Sequence, residues 1–149
     1  MKVYQLPLGT PQARGKAIIN LLPLEKDEKV NVYMRMPEDA EVIEKLDIMF
    51  ATSHGSVRRN KLVDFANIRS NGLIAMKLAD DESLVDVKIC TPDEDIMLAT
   101  KMGKAIRFPV TDIRVFAGRN STGVRGVKMK DAKDEVISMS VLKLSLIHI

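Results

Sequence analysis

Several residue types are scarce in this sequence. Its 149 residues include no tryptophan, one cysteine, two histidines, four phenylalanines and two tyrosines. The single cysteine, Cys90, cannot form a disulfide within the chain, and with His54 and His148 it offers too few ligands for a zinc site. Redox and metal chemistry are therefore not expected.

Long hydrophobic segments are also lacking. The uninterrupted apolar runs are only a few residues long, whereas a membrane-spanning helix needs roughly 20 apolar residues. The first residues, Met1–Pro7, contain no apolar stretch of the roughly 7 to 15 residues that a secretory signal requires. With 46% hydrophobic and 29% charged residues, the composition is that of a soluble domain. We expect a cytoplasmic protein that does not bind a membrane.

What the sequence does contain is an internal repeat. The segment Asp47–Gly55 returns 48 residues later as Asp95–Gly103, with Asp, Ile, Met, Ala, Thr and Gly in register. The match continues at the same spacing to Arg59 and Arg107. A repeat of roughly 50 residues is typical of propellers and other repeat architectures.

The repeat extends beyond this pair of segments. After a three-residue insertion, Asn71–Gly72 resembles Thr122–Gly123 at a spacing of 51 residues. Part of the same unit is found earlier, at Ala13–Leu21. We expect about three repeat units, the first incomplete on its N-terminal side, at residues 1–46, 47–94 and 95–143.

Each unit is predicted to consist of short strands. The two apolar runs end near Gly55 and Gly103, where a glycine supplies the positive φ of a hairpin turn. The return strands carry basic residues between apolar ones, which predicts one solvated face. The strands expected after each turn are Ser56–Leu62, Gly72–Leu78 and Leu84–Cys90 in one unit, and Lys104–Val110, Gly123–Met129 and Glu135–Val141 in the other. Four short strands per unit predict an all-β fold of propeller-like blades.

Two segments differ from this pattern. Pro37–Leu46 begins with a proline and acidic residues, which favours a short helix, although a plain loop fits as well. Leu144–Ile149 is an apolar hexapeptide that a common sequencing-adaptor DNA encodes in one reading frame. We therefore expect residues 144–149 to be a non-native tail outside the domain.

The net charge of +3 conceals a strong alternation of charge along the chain. Lys and Arg exceed Asp and Glu by four in residues 48–78 and by seven in residues 96–130, whereas acids are in excess by six in residues 79–95. Because the basic blocks occupy the same part of each unit, neighbouring units would place cations at one structural position and acids at another. Such a basic stripe is the electrostatic pattern of a nucleic-acid-binding protein.

The composition also indicates how nucleic acid would be bound. Few aromatic side chains are available to stack on unpaired bases, and no recognition helix is evident. The pattern favours contacts with duplex phosphates, without base specificity and with steep salt dependence. Arg125 follows a turn glycine and suits either a phosphate or a loop carbonyl. The candidate DNA-binding residues are Arg14, Lys16, Arg58, Arg59, Lys61, Arg69, Lys77, Lys101, Lys104, Arg107, Arg119, Arg125 and Lys128.

Six motifs resemble, in the same order, the C-terminal domain of bacterial DNA gyrase A. They are Tyr4–Pro7, Gln12–Lys16, Asn20–Leu24, Ile68–Gly72, Gly103–Pro109 and Thr122–Gly126. The resemblance covers nearly everything from Lys2 to Leu142. It implies a β-pinwheel, a six-bladed propeller-like disc whose basic edge wraps duplex DNA, and this chain would hold about three of the blades.

The resemblance also implies a role within a larger enzyme. That role is DNA wrapping in support of ATP-dependent negative supercoiling, with a nucleoid location. The implied partners are the N-terminal breakage-reunion domain of gyrase A and the gyrase B protein. The family's glutamine- and arginine-rich box, its catalytic tyrosine and its ATP and Mg²⁺ sites are expected outside this chain. Tyr4 and Tyr33 match no catalytic motif, so we assign no catalytic, cofactor-binding or metal-binding residue here.

Two alternatives are open at this point. The chain could instead be the matching C-terminal domain of topoisomerase IV. It could also be a β-propeller that serves as a protein-interaction scaffold, in which case binding would involve acidic turns or an apolar face and would be far less sensitive to salt.

Overall fold

The computed structural model describes residues 7–68 and 72–143. The predicted tail at 144–149 and the candidate residue Arg69 lie outside these residues. A single short α-helix is found in the described part of the chain, α1 (Ala40–Lys45). It begins where the side chain of Asp39 accepts a hydrogen bond of 2.9 Å from the amide of Glu41, which satisfies one of the free amides of the first turn. The helical alternative for Pro37–Leu46 is thus correct for six residues.

The remaining elements are strands and three 3₁₀ turns. The turns are Ile18–Asn20, Leu62–Phe65 and Val110–Asp112. The strands are β1 (Asp47–Thr52), β2 (Ser56–Lys61), β3 (Leu84–Cys90), β4 (Glu94–Thr100), β5 (Ala105–Pro109), β6 (Val115–Phe116), β7 (Val124–Arg125) and β8 (Val136–Lys143). The all-β class is confirmed, and both predicted hairpins form, β1 with β2 and β4 with β5.

The strands form two sheets of related design. The first has the order β3-β1-β2-β6, with β7 also paired to β2, and the second has the order β5-β4-β8. In each sheet the first strand of the hairpin lies in the middle and the last strand of the unit pairs on its other side. The first sheet, built on the second repeat unit (47–94), is completed by β6 and β7, which come from the third repeat unit (95–143).

Two of the expected strands do not form as predicted. Gly72–Leu78 has no strand structure, and within Gly123–Met129 only β7 is extended and paired. A strand needs a neighbour for its backbone hydrogen bonds, and β7 finds that neighbour in β2 of the preceding unit. In the described residues no strand takes this role for residues 72–78, and none is formed in residues 7–46.

The larger hydrophobic core lies between the two sheets. It combines Met49 and Ala51 of β1 and Val57 of β2 with side chains of the second sheet such as Leu98 and Met139. The alternate residues of β1, Ile48 and Phe50, point to the opposite face and pack with Leu62, Phe65 and part of α1. The period of two along β1 thus buries both faces of this strand, which explains why its sequence is apolar throughout.

Candidate nucleic-acid interface

The return strand of the first hairpin, β2, is buried rather than solvated. Arg58 on this strand is 0% exposed. Its guanidinium donates to the side-chain oxygen of Asn60 (2.7 Å), to the carbonyls of Arg119 (2.7 Å) and Ser121 (2.8 Å), and to the carbonyl of Ala75. Burial lowers the pKa of Arg58, while the acceptors take four of the five N–H donors of its guanidinium. Arg58 therefore fixes two loops, one at Ala75 and one at Arg119–Ser121, to its own strand β2.

Arg59 has a similar internal role. Its guanidinium pairs with the fully buried carboxylate of Asp47 at 2.5 Å, and Lys61 contacts the other carboxylate oxygen at 2.7 Å. Arg59 also donates to the carbonyls of Val110 (3.5 Å) and Ile113 (3.2 Å) in the third unit. The expectation that Arg58 and Arg59 lie on a solvated face is wrong, because β6 and β7 cover the strand that carries them. Lys61 is half-exposed.

The corresponding residues of the second hairpin face solvent. Lys101, Lys104 and Arg107 are all exposed, and β5 as a whole is far more open than β2. Arg107 pairs with Asp95 at 2.5 Å, which repeats the pair of Arg59 and Asp47 at the equivalent positions. Lys101 contacts Glu135 at 3.1 Å, and both side chains are largely exposed.

The most basic exposed region is the segment that crosses β2, residues 113–130, which we call the crossing segment. It contains five Lys and Arg residues and no Asp or Glu. Four of the five are exposed and Arg119 is partly buried. The five are Arg114, Arg119, Arg125, Lys128 and Lys130. No acid lies inside the segment itself, so its own side chains carry charge of one sign only.

Backbone hydrogen bonds bring the crossing segment and both hairpin turns to one end of the molecule. The amides of Gly126 and Val127 donate to the carbonyl of Gly55, at 2.8 and 3.3 Å. The amide of Val136 donates to the carbonyl of Ser53, which lies in the same hairpin turn as Gly55. Next to Val136, the carbonyl of Glu135 accepts from the amide of Lys101 in the turn of the second hairpin. The turn of the first hairpin therefore lies between the crossing segment and the turn of the second.

Acidic side chains share this end of the molecule. Glu82 accepts from the hydroxyl of Thr52, and at the matching position in the third unit Asp134 accepts from the amide of Met102 at 3.0 Å. Burial opposes ionisation of Asp134, but hydrogen bonds from Met102, Thr100 and Glu135 outweigh it and lower its pKa. The expected separation of acids from cations is therefore wrong at this end of the molecule, because Asp134 braces the same turn that carries Lys101 and Lys104.

Two exposed cations of the crossing segment were not among the candidate residues. The guanidinium of Arg114 lies 3.8 Å from the centroid of the Phe116 ring, which holds this exposed side chain in place by a cation–π contact. Lys130 is exposed at the other end of the segment. The absence of Asp and Glu between residues 113 and 130 is the sequence signal that identifies both.

The remaining candidate residues lie elsewhere. Arg14, Lys16 and Lys77 are exposed and lie outside the crossing segment. Burial raises the pKa of Cys90 to about 12, with a further contribution from nearby Asp47, so its thiol stays protonated at neutral pH. Within residues 7–68 and 72–143, no group of three or more His, Cys, Asp and Glu side chains could hold a metal ion, and no helix is long and apolar enough to span a membrane.

With this geometry established, comparison with known proteins decides the family. The model of the DNA gyrase C-terminal domain, described as a beta-propeller, matches residues 1–31, 46–91 and 94–143. The chain belongs to this family. The three stretches together span most of its length, so the resemblance that six short motifs suggested is confirmed.

Curated relatives of this family member are DNA gyrase A proteins. The one from Rickettsia bellii is 50% identical over 143 residues, and the one from Escherichia coli K12 is 38% identical over 141 residues. These alignments cover 96% and 95% of this chain but only 16% of each relative. The chain thus spans about one sixth of the length of the curated relatives.

Solved structures agree on the fold. A crystal structure of the C-terminal domain of DNA topoisomerase IV aligns with a TM-score of 0.75 at 24% identity, over 87% of this chain and 39% of that one. A DNA gyrase A C-terminal domain aligns with a TM-score of 0.71 at 23% identity, over 87% of this chain and 41% of that one. At such identities the likeness establishes the architecture alone. The names of the sequence relatives favour gyrase over the topoisomerase IV alternative.

Proposed function

We propose that this chain binds duplex DNA through the crossing segment, as the DNA-wrapping part of a gyrase A protein. The observation that carries the proposal is the composition and exposure of residues 113–130: five cations, no acids, and four of the cations exposed. Lys101 and Lys104 on the neighbouring turn extend this surface. Arg58 and Arg59 support it from inside by fixing the carbonyls of residues 110–121.

The surface suits phosphates better than bases. Phe116 is buried and already covered by Arg114, so the crossing segment offers no free aromatic ring on which a base could stack. Lys and Arg that neutralise phosphates release condensed counterions, and this contribution does not depend on sequence. Binding is therefore expected to tolerate any duplex sequence and to weaken steeply with salt.

Membership of the family supports a wider role for this chain. In a gyrase, such a wrapped segment would support ATP-dependent negative supercoiling by the N-terminal breakage-reunion domain of gyrase A and by the gyrase B protein. ATP and Mg²⁺ would be bound by those other parts of the complex, and the assembly would be associated with the nucleoid. Relatives up to 50% identical to this chain are DNA gyrase A proteins, which supports this assignment.

Salt-dependent binding of a fluorescent duplex of random sequence tests the proposal. We expect the affinity of the 149-residue chain to fall by roughly 10³ between about 50 and 200 mM salt if about six phosphates are neutralised. The double variant R125Q/K128Q should lower the slope of log affinity against log salt by about 2, because each lost phosphate contact removes about 0.9.

The matched control is K26Q/K29Q, which removes the same charge from two exposed residues far along the chain from the crossing segment. Its slope should stay close to that of the unaltered chain. Equal effects of the two double variants would show that only net charge matters and would contradict the proposed site. Binding without salt dependence, or of a protein instead of DNA, would favour the scaffold alternative.

A further inference from the structure

Two side chains of β2, Arg58 and Asn60, bind the backbone of the crossing segment from its buried side. Both are 0% exposed. Asn60 donates to two carbonyls at 3.0 and 3.1 Å, and Arg58 donates to two more at 2.7 and 2.8 Å. In chain order the four carbonyls are those of Phe116, Gly118, Arg119 and Ser121. The Nε of Arg58 also donates to Oδ1 of Asn60 at 2.7 Å, so the N–H donors of Asn60 are turned toward the crossing segment.

The direction of these carbonyls determines where the neighbouring amides point. In a trans peptide, the C=O of one residue and the N–H of the next point in opposite directions. Four carbonyls directed at β2 therefore turn four amides away from it. These are the amides of Ala117, Arg119, Asn120 and Thr122. Among residues 7–68 and 72–143, no backbone carbonyl accepts a hydrogen bond from any of the four.

The outward amides lie on an open and basic part of the surface. Residues 117, 118, 120 and 122 are exposed, and no described atom lies within 4 Å of the position that a β-carbon of Gly118 would take. An anion can therefore approach this backbone closely. Arg114 and Arg125, both exposed, flank the stretch on either side. Successive backbone N–H groups that point to one side are a recurrent means of binding anions such as phosphate.

The buried donors are found in one of the two hairpins. In the other hairpin the equivalent positions, 48 residues later, are Ile106 and Phe108, whose side chains have no N–H to donate. Both halves of the contact, β2 and residues 116–121, lie within the described residues, so the arrangement needs no further segment to complete it. The particular sequence of β2 therefore turns these amides outward.

We propose that residues 117–122 bind a DNA phosphate through their outward amides, and that Arg58 and Asn60 are positioning residues for this contact. The inference rests on the proposed function and divides the DNA-binding surface into two parts. Lys and Arg neutralise phosphates and release counterions, whereas an uncharged amide adds a hydrogen bond without neutralising a phosphate. The amides therefore contribute an affinity that persists at high salt.

Amide NMR of the ¹⁵N-labelled 149-residue chain tests the contact directly. Inorganic phosphate is added first, in place of chloride at constant ionic strength, and a duplex of random sequence is added in a second titration. We expect downfield proton shifts at the amides of Arg119, Asn120 and Thr122 in both titrations, because each donates to a phosphate oxygen. The amides of Lys26 and Lys29, which are exposed and basic, should not shift. Absence of the loop shifts with the duplex would overturn the proposal.

The variant N60A tests the positioning role. It removes two of the inward hydrogen bonds and leaves every charge in place. We expect the affinity for the duplex to fall about three- to tenfold at every salt concentration, with an unchanged slope of log affinity against log salt. In the NMR titration the amide of Arg119 should lose its shift, whereas that of Thr122, whose peptide group is still bound by Arg58, should keep it.

The matched control is N31A, because the side chain of Asn31 also donates to a carbonyl, that of Leu84, outside the crossing segment. It should change neither the affinity nor the slope. Equal losses in N60A and N31A, or a lower slope in N60A, would contradict the positioning role. If circular dichroism shows that N60A is unfolded, the NMR titration of the unaltered chain decides the proposal.

The two proposals fail in different ways. Salt-dependent binding of the duplex without shifts at residues 117–122 would overturn this inference and leave the proposed function intact, with DNA bound through cations alone. Absence of duplex binding at low salt would overturn both.

Discussion

The two hairpins of this chain share most of their sequence motif but differ in what surrounds them. In the first, every residue of β2 from Val57 to Asn60 is buried, whereas in the second the residues of β5 are exposed or half-exposed. The difference arises from β6 and β7, which pack on β2 alone. An arginine in the first hairpin is therefore part of the core, while its counterpart in the second lies at the surface.

The sharpest test of this comparison exchanges the residues at one equivalent position, Arg58 and Ile106. R58I leaves the carbonyls of Ala75, Arg119 and Ser121 without their donor, and we expect the free energy of unfolding to fall by about 3–5 kcal/mol. I106R places a charge on an exposed strand and should change the free energy of unfolding by less than about 1 kcal/mol. Urea unfolding followed by circular dichroism measures both.

Equal losses in the two exchanges would mean that β5 is as well covered as β2, and the comparison would fail. A small loss in R58I would show that water satisfies the carbonyls that Arg58 now binds.

A smaller effect is expected at the equivalent glycines Gly123 and Gly72. Both have positive φ, so alanine at either position is strained by about 1 kcal/mol. At Gly123 the added β-carbon also overlaps the carbonyl of Val57, which should raise the total loss to about 2–4 kcal/mol. Thermal unfolding of G123A and G72A should therefore give a clearly lower midpoint for G123A; matching midpoints would refute close packing of β7 on β2.

The smallest effect concerns the acid that braces the second hairpin turn, Asp134. Its pKa is lowered in the folded state from 3.8, so its carboxylate stabilises the fold above that pH, and the contribution is lost as the pH falls through the folded value. The stability difference between the unaltered chain and D134N should therefore be largest near neutral pH and shrink below about pH 4. Urea unfolding at several pH values measures it; a difference that grows on acidification would contradict the lowered pKa.

Much of the fold could be predicted from the sequence because it depends on local patterns. The apolar runs, the turn glycines and the repeat at 48 residues place both hairpins and the last strand of each unit. The failures concern contacts between units. Residues 72–78 and 124–125 have similar patterns, but only the second stretch has a strand to pair with.

The same distinction applies to the candidate site. Composition identified the basic block around the crossing segment, where Arg125 and Lys128 are exposed as expected. It could not show that Arg58 and Arg59 are buried, because the segments that bury them lie more than 50 residues farther along the chain. The sequence pattern of an amphipathic strand with a basic residue does not distinguish an arginine that binds a phosphate from one that binds a backbone carbonyl.

The bonds of Arg58 have a consequence for synthesis on the ribosome. Its carbonyl acceptors at Arg119 and Ser121 are translated 61 and 63 residues after it. At a translation rate of roughly 5–20 residues per second, the residues that cover the edge of the first sheet are synthesised about 3–12 s after Arg58. During this interval the edge of β2 is unpaired. The interval is a period of vulnerability to misfolding for the nascent chain. Slower translation through residues 59–121 would lengthen this interval even though no side chain is changed.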